Sequence, residues 1–204
     1  MNLSRFLSIF VTGTLALYLS SAATAQEQVK VSKIDIDKVE IDTQKTPEFN
    51  LSSGGLKKAP RSREWLEIDV KFEIEGRSTS NDYLDQVSFK YYIVLDDKAK
   101  TMITATVDHV NVPMNEEVWS SVYIAPSTIE KMMGKGNVSR STVAGWAIEI
   151  LHNGEVKGGD ASKDKSSKWW RSRQGTAGAL LSKANTPFRY LWWDRYAEEK
   201  PAGN

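Results

Sequence analysis

Between Glu64 and Glu75 the side chains alternate without a break. Leu66, Ile68, Val70, Phe72 and Ile74 fall on one parity, and Glu67, Asp69, Lys71, Glu73 and Glu75 on the other. At period two this places five apolar groups on one face of an extended strand, whereas helical spacing would scatter them around the axis. The expectation is an antiparallel strand with one face in a core and a charged face in water.

The pattern recurs along the chain. Val87, Phe89, Tyr91, Ile93 and Leu95 alternate up to a turn at Asp96-Asp97. Ile103, Ala105 and Val107 begin a strand that runs to Val112 and stops at Pro113, and Val118, Ser120, Val122 and Ile124 form another, ended by Pro126. Trp146, Ile148 and Ile150 precede Asn153-Gly154, a dipeptide suited to a type I′ hairpin because both central residues need positive φ. The returning strand starts at Glu155–Lys157 and is disturbed at Gly158-Gly159. Val29 and Val31 share a face, Ile34 and Ile36 take the other, and Val39 and Ile41 switch back. Each switch predicts a bulge or a crossing between sheets.

Helix signals are minor. Ser127 followed by Glu130 has capping-box spacing, and Gly134 suits a left-handed C-terminus. Ala177, Leu180, Leu181 and Ala184 have helical spacing, predicting a second helix from Thr176 to Ala184 that Pro187 would stop. Thr43 to Arg63 and Asp160 to Ser167 read as loops. Strands with short turns and one or two short helices predict an all-β, immunoglobulin-like β-sandwich. The single domain is placed at residues 26–197, with a flexible tail at 198–204.

Ahead of the strands stand Arg5, an uncharged apolar run from Phe6 to Leu19, and Ala23-Thr24-Ala25, the pattern of a signal peptide cut after Ala25. The run is shorter than a spanning helix needs, so the mature chain is expected to lack a transmembrane segment. The expected location is the periplasm, the outer surface or the extracellular medium. The chain has no cysteine, hence no lipidation at that site and no disulfides. Lys and Arg number 27 against 26 Asp and Glu, and this balance gives no general drive toward nucleic acid. A local basic run lies between Lys157 and Arg173. It reads as a solvated loop or a surface for an acidic glycan or another subunit.

Catalytic and metal signatures are missing. His109 and His152 lie in no zinc-binding spacing, and no nucleophile elbow occurs. Glu67, Asp69, Glu73 and Glu75 read as a solvated face rather than a glycosidase pair. Asp82, Asp85, Asp96 and Asp97 lack calcium-loop spacing. No catalytic residue, metal site or cofactor is therefore assigned. The binding candidates are the adjacent pairs Trp169-Trp170 and Trp192-Trp193, whose rings suit sugar faces or protein interfaces, although core or intrachain packing is the expectation for most of them. On strands, one ring of each pair would point inward and one outward. The segment from Val29 to Ile41 is expected to pair within its own chain, with self-association by adding a strand to another copy's sheet as the alternative.

Several runs, in order, carry a family resemblance. They are Trp65-Leu66-Glu67-Ile68-Asp69-Val70-Lys71-Phe72-Glu73, Tyr91-Tyr92-Ile93-Val94-Leu95-Asp96, Tyr123-Ile124-Ala125-Pro126, Asn153-Gly154-Glu155-Val156, Trp169-Trp170, Thr186-Pro187-Phe188 and Trp193-Asp194-Arg195-Tyr196. Together they resemble a family of secreted, pilus-like β-sandwich proteins from mucin-degrading gut bacteria and their relatives. The resemblance implies an immunoglobulin-like fold, association with type IV-like pili or the outer surface, and no catalytic residues. A type IV pilin keeps its hydrophobic N-terminal helix, whereas here that run precedes Ala25 and would be lost. The expected role is therefore accessory: a non-enzymatic envelope protein working through protein–protein contacts. A carbohydrate-binding module is the alternative and a hydrolase the remote one.

Overall fold

The computed structural model of the chain describes residues 30–47, 63–77, 83–134 and 138–201. The expected signal peptide, Asp82, most of the loop before Arg63 and the last residues of the tail lie outside these. Two sheets face each other. One has the strand order β1-β2-β5-β9, formed by Lys30–Lys45, Glu64–Arg77, Glu117–Ile124 and Leu180–Ser182. The other has the order β7-β6-β3-β4-β8, formed by Glu155–Ala161, Val143–His152, Tyr83–Leu95, Met102–Pro113 and Thr176–Ala177. Strands β1, β2 and β5 take the A, B and E places of an immunoglobulin-like sandwich, and β7, β6 and β3 take G, F and C. The fold is the all-β sandwich expected.

The core is the set of inward parities. Leu66, Ile68, Val70, Phe72 and Ile74 of β2 meet Val87, Phe89, Tyr91, Ile93 and Leu95 of β3, all essentially without solvent exposure. The rings of Phe72 and Phe89 touch at a centroid distance of 4.7 Å. In β1 the register shifts between Val31 and Lys33 and again between Ile36 and Lys38, where the apolar parity switches. These bulges keep Ile34 in the core while the strand twists along the edge. Strand β1 pairs with β2 of its own chain from Lys30 to Lys45. Asn153 and Gly154 both adopt positive φ, 50° and 79°, as the β6–β7 hairpin requires.

At this edge the two sheets close on each other, and Gly158 makes that possible. A Cβ at this position would lie 2.0 Å from the backbone oxygen of Ile34. Gly158→Ala must therefore push β7 away from β1, and a loss of about 1–3 kcal/mol is expected, measured by urea denaturation.

Two local expectations are corrected. The helix Pro126–Met133 starts on Pro126 at its first turn, and Ser127 lies inside it rather than capping it; proline at that position needs no N–H partner. Gly134 ends it in the left-handed region at φ 68°, as expected. The helix expected over Thr176–Ala184 does not form. Those residues make β8, a turn at Gly178 with φ 82°, β9 and a short 3-10 turn. Leu180 points into the sandwich core, so docking onto β5 and β4 overrides helical spacing.

Candidate functional site

The outward faces of the sandwich are not simply wet. Each carries carboxylates that the C-terminal third of the chain covers. On the outer face of β6, Glu149 is buried. It accepts bonds from Trp170 Nε1 at 3.0 Å, Arg171 Nε at 2.7 Å and the Tyr92 hydroxyl at 3.2 Å. The 3-10 turn Trp169–Ser172 thus forms a strap over this sheet. Trp170 is anchored inside, its ring at right angles to that of Trp169 with centroids 5.7 Å apart.

The second strap lies over the outer face of β2 and β5. Here Glu67 and Asp69 are buried, at 5% and 4% exposure, so the solvated face expected for β2 is only partly solvated. The physical reason is aromatic cover. Phe188 stacks on Tyr123 at 4.8 Å and meets Trp65 edge-on at 5.7 Å. The Tyr123 hydroxyl donates to Glu67 at 2.5 Å, and the Tyr196 hydroxyl donates to Asp69 at 2.9 Å. The Arg195 guanidinium lies 3.5 Å from Asp69 and 3.9 Å over the Trp119 ring. Burial and the neighbouring Glu67 carboxylate push Asp69 up to about 6, against the opposing hydrogen bond from Tyr196 and the Arg195 charge. The chain then runs on between the sheets. The Ala197 N–H bonds Trp119 C=O, the Val110 N–H bonds Glu198 C=O and the Lys200 N–H bonds Asp108 C=O. Glu198 to Lys200, expected to fray, are therefore paired to β4.

This strap presents the other tryptophan pair. Lys183 is buried beneath it. Its ammonium donates to Leu191 C=O at 2.6 Å and lies 4.6 Å from the Tyr196 ring centre. Burial lowers the Lys183 pKa, opposed by Glu199, Asp69 and Glu67. Held from below, the loop Arg189–Trp193 exposes Tyr190, Trp192 and Trp193 at 69%, 52% and 63%, with the Arg189 guanidinium over the Tyr190 ring. Beside it a groove of about 700 Å³ runs along β4 between Trp193, Arg189, Asn185 and Asp108. Trp192 has a φ of 52°, an outlier for a bulky side chain and a sign of stored strain.

The four tryptophans therefore serve two places. Trp169 and Trp170 sit on 3-10 backbone over one sheet, and Trp192 and Trp193 on a turn over the other. The expected in-and-out alternation of strand residues does not apply. Trp170 is 6% exposed and offers no open face. The residues missed at sequence level are Tyr190, Arg189 and Lys183. The signal for Arg189 and Tyr190 was the density of aromatic and basic residues between Phe188 and Tyr196, and Lys183, outside that run, had none.

A Ser–His pair is present in the core. Ser120 Oγ lies 2.6 Å from His109 Nε2 and takes a 2.6 Å bond from the Tyr91 hydroxyl. His109 Nδ1 faces the Ala197 carbonyl at 3.1 Å, which fixes a proton on that nitrogen. Burial drives the imidazole down to about 4, against the pull of the backbone carbonyls of Ala197 and Glu198. Ser120, His109 and Tyr91 are all sealed between the sheets. A carbonyl rather than a carboxylate orients the imidazole, so the network ties β3, β4, β5 and the C-terminal segment together and gives no substrate a path to the hydroxyl. His152 lies at the hairpin and bonds Gln86 C=O.

Among the described residues no helix is long and apolar enough to cross a membrane. No curated protein matches the chain. A crystal structure of a protein from Akkermansia muciniphila has the same fold, with a TM-score of 0.74 and 24% identity over 86% of this chain and 100% of that one. A protein-family model matches residues 25–202, a span that takes in both sheets and both straps. The chain belongs to the pilus-like β-sandwich family that the order of its sequence runs resembles.

Proposed function

We propose that the protein is an exported, non-catalytic accessory of pilus-like assemblies at the cell envelope, and that it docks a partner protein through the loop Arg189–Trp193. In this reading residues 1–25 are removed on export and the domain begins at Gln26. Membership of a pilus-like family supports the setting. The observation that carries the docking role is the braced aromatic loop: Tyr190, Trp192 and Trp193 are open to solvent, yet the Lys183 ammonium ties the loop backbone to the sandwich. Tyr, Trp and Arg are the side chains that dominate binding energy at protein interfaces, and rings held in advance lose little freedom on docking. The expected partner offers an apolar pocket flanked by carboxylates, to receive a tryptophan beside Arg189.

A photo-crosslinking residue at Tyr190, activated in the native envelope, should yield one protein adduct that disappears in Trp192→Gly. That variant also separates binding from folding. Glycine relieves the positive φ, so stability should hold or rise by about 1 kcal/mol while the adduct is lost. Crosslinking that the variant does not change would remove the docking role. Adducts to glycan alone would transfer the loop to the carbohydrate-binding alternative. Edman sequencing of the envelope form starting at Gln26 is the expected result for export.

A further inference from the structure

The first strap leaves one polar group unaccounted for. Trp170 Nε1 bonds Glu149, but the indole nitrogen of its neighbour Trp169 is buried with no hydrogen-bond partner among the described residues. A buried N–H without an acceptor costs free energy on the order of 1–3 kcal/mol, so such groups are rare unless something else supplies the acceptor. Trp169 lines a cavity of about 280 Å³ with Val94, Ala144 and Gly145, with Ser172, Lys163 and Arg173 completing the lining. A cavity of this volume has room for one sugar ring.

Its charges are arranged for an anion. Gly145 carries no side chain, and a Cβ there would come within 3.9 Å of Lys163 Cε; the Lys163 stem thus passes directly over the cavity wall. Neither Lys163 nor Arg173 has a carboxylate within ion-pair distance among the described residues, whereas Lys165 pairs with Asp160 and Arg171 with Glu149. One Arg173 amino group donates to Lys100 C=O at 2.7 Å, which holds the guanidinium beside the cavity. Asp164, the nearest acidic residue in sequence, is engaged by Ser166.

From the unpaired indole N–H, the two unpaired cations and the apolar lining of one cavity, we infer that the Trp169 strap is a binding site for an acidic monosaccharide unit of the hexuronic type. Such a ring has a carboxylate for Lys163 and Arg173, a hydroxyl or ring oxygen to accept from Trp169, and a C–H face for Val94 and Ala144. The site shares no residue with the Arg189–Trp193 loop, so the two readings stand or fall separately.

The test is isothermal calorimetry of the purified protein with glucuronate, glucose and acetate. Glucuronate should bind at least about tenfold more tightly than either glucose, which lacks the carboxylate, or acetate, which lacks the ring. Raising the salt from about 20 to about 300 mM should weaken it several-fold. Trp169→Phe keeps a ring and deletes the N–H, so it should lower affinity about fivefold or more with the melting temperature unchanged or raised; Lys163→Gln, on an exposed loop, should do the same. Glucuronate that binds no better than glucose or acetate overturns the inference. So does unchanged affinity in both variants, or uptake of an acidic peptide such as oligoglutamate with none of glucuronate.

Discussion

Phe188→Ala should cost about 3–5 kcal/mol in chemical denaturation, an effect out of proportion to a residue lying outside both sheets. The ring has no solvent exposure. It stacks on Tyr123 and meets the edge of Trp65, so truncation opens a cavity above β2 and β5 and takes the cover from the Glu67–Tyr123 hydrogen bond. Without the ring the strap loses its contacts to Tyr123 and Trp65 and is left tied to β2 through Tyr196 and Arg195 on Asp69. Limited proteolysis should then cut first between residues 183 and 195, where the wild type resists. A loss below about 1 kcal/mol with no new cleavage would mean that the strap adds nothing to the sandwich. The docking loop would then lack its foundation, because Lys183 and Phe188 belong to the same cover.

The inner face of the sandwich was legible in the residues and the outer faces were not. Period two reports which side chains share a face, and for β2, β3 and β5 that face is the core. The two parity switches in Val29–Ile41 mark bulges found at Val31/Lys33 and Ile36/Lys38, because a bulge is the one way an extended strand changes parity without leaving its sheet. Alternation says nothing about a layer added later in the chain. Glu67 and Asp69 carry the signature of a wet face, and Tyr123 of β5 together with Phe188, Tyr196 and Arg195, the last three more than a hundred residues away, makes it dry. The segment Thr176–Ala184 misleads for a related reason. Its apolar spacing is helical, yet Leu180 and Leu181 sit beside an unfilled edge of β5, and pairing there satisfies backbone groups as well as side chains. The tryptophan pairs were found by composition, but adjacency on a strand was the wrong geometry, and burial separates Trp170 from the other three.

Asp69→Asn should stabilise the protein at neutral pH and leave it unchanged in acid, and the difference curve isolates one group. Asp69 titrates near 3.8 in an unstructured chain and near 6 when folded, through burial first and the Glu67 carboxylate second. Between those values the folded state holds a proton that the unfolded state has released. Its contribution is therefore fully present below about 4 and is lost as pH rises through about 6. At about 1.4 kcal/mol per pH unit, the charged Asp69 removes up to about 3 kcal/mol above pH 6. Asparagine is neutral at every pH and can still accept from Tyr196. Variant minus wild type should thus be near zero below pH 4 and climb to a plateau of about 1–3 kcal/mol above pH 6. His109 acts in the opposite direction over nearly the same window. It is held neutral by burial to about 4 against an ordinary 6.5, so its contribution is present above about 6.5 and is lost as pH falls toward 4. In the wild type the two slopes oppose each other and stability from these groups stays nearly level between pH 4 and 6. In Asp69→Asn the histidine limb is exposed, and the variant should lose about 3 kcal/mol between pH 7 and pH 4. A flat difference curve would mean that Asp69 is solvated, and with it that the strap from Phe188 to Tyr196 does not lie closed over β2.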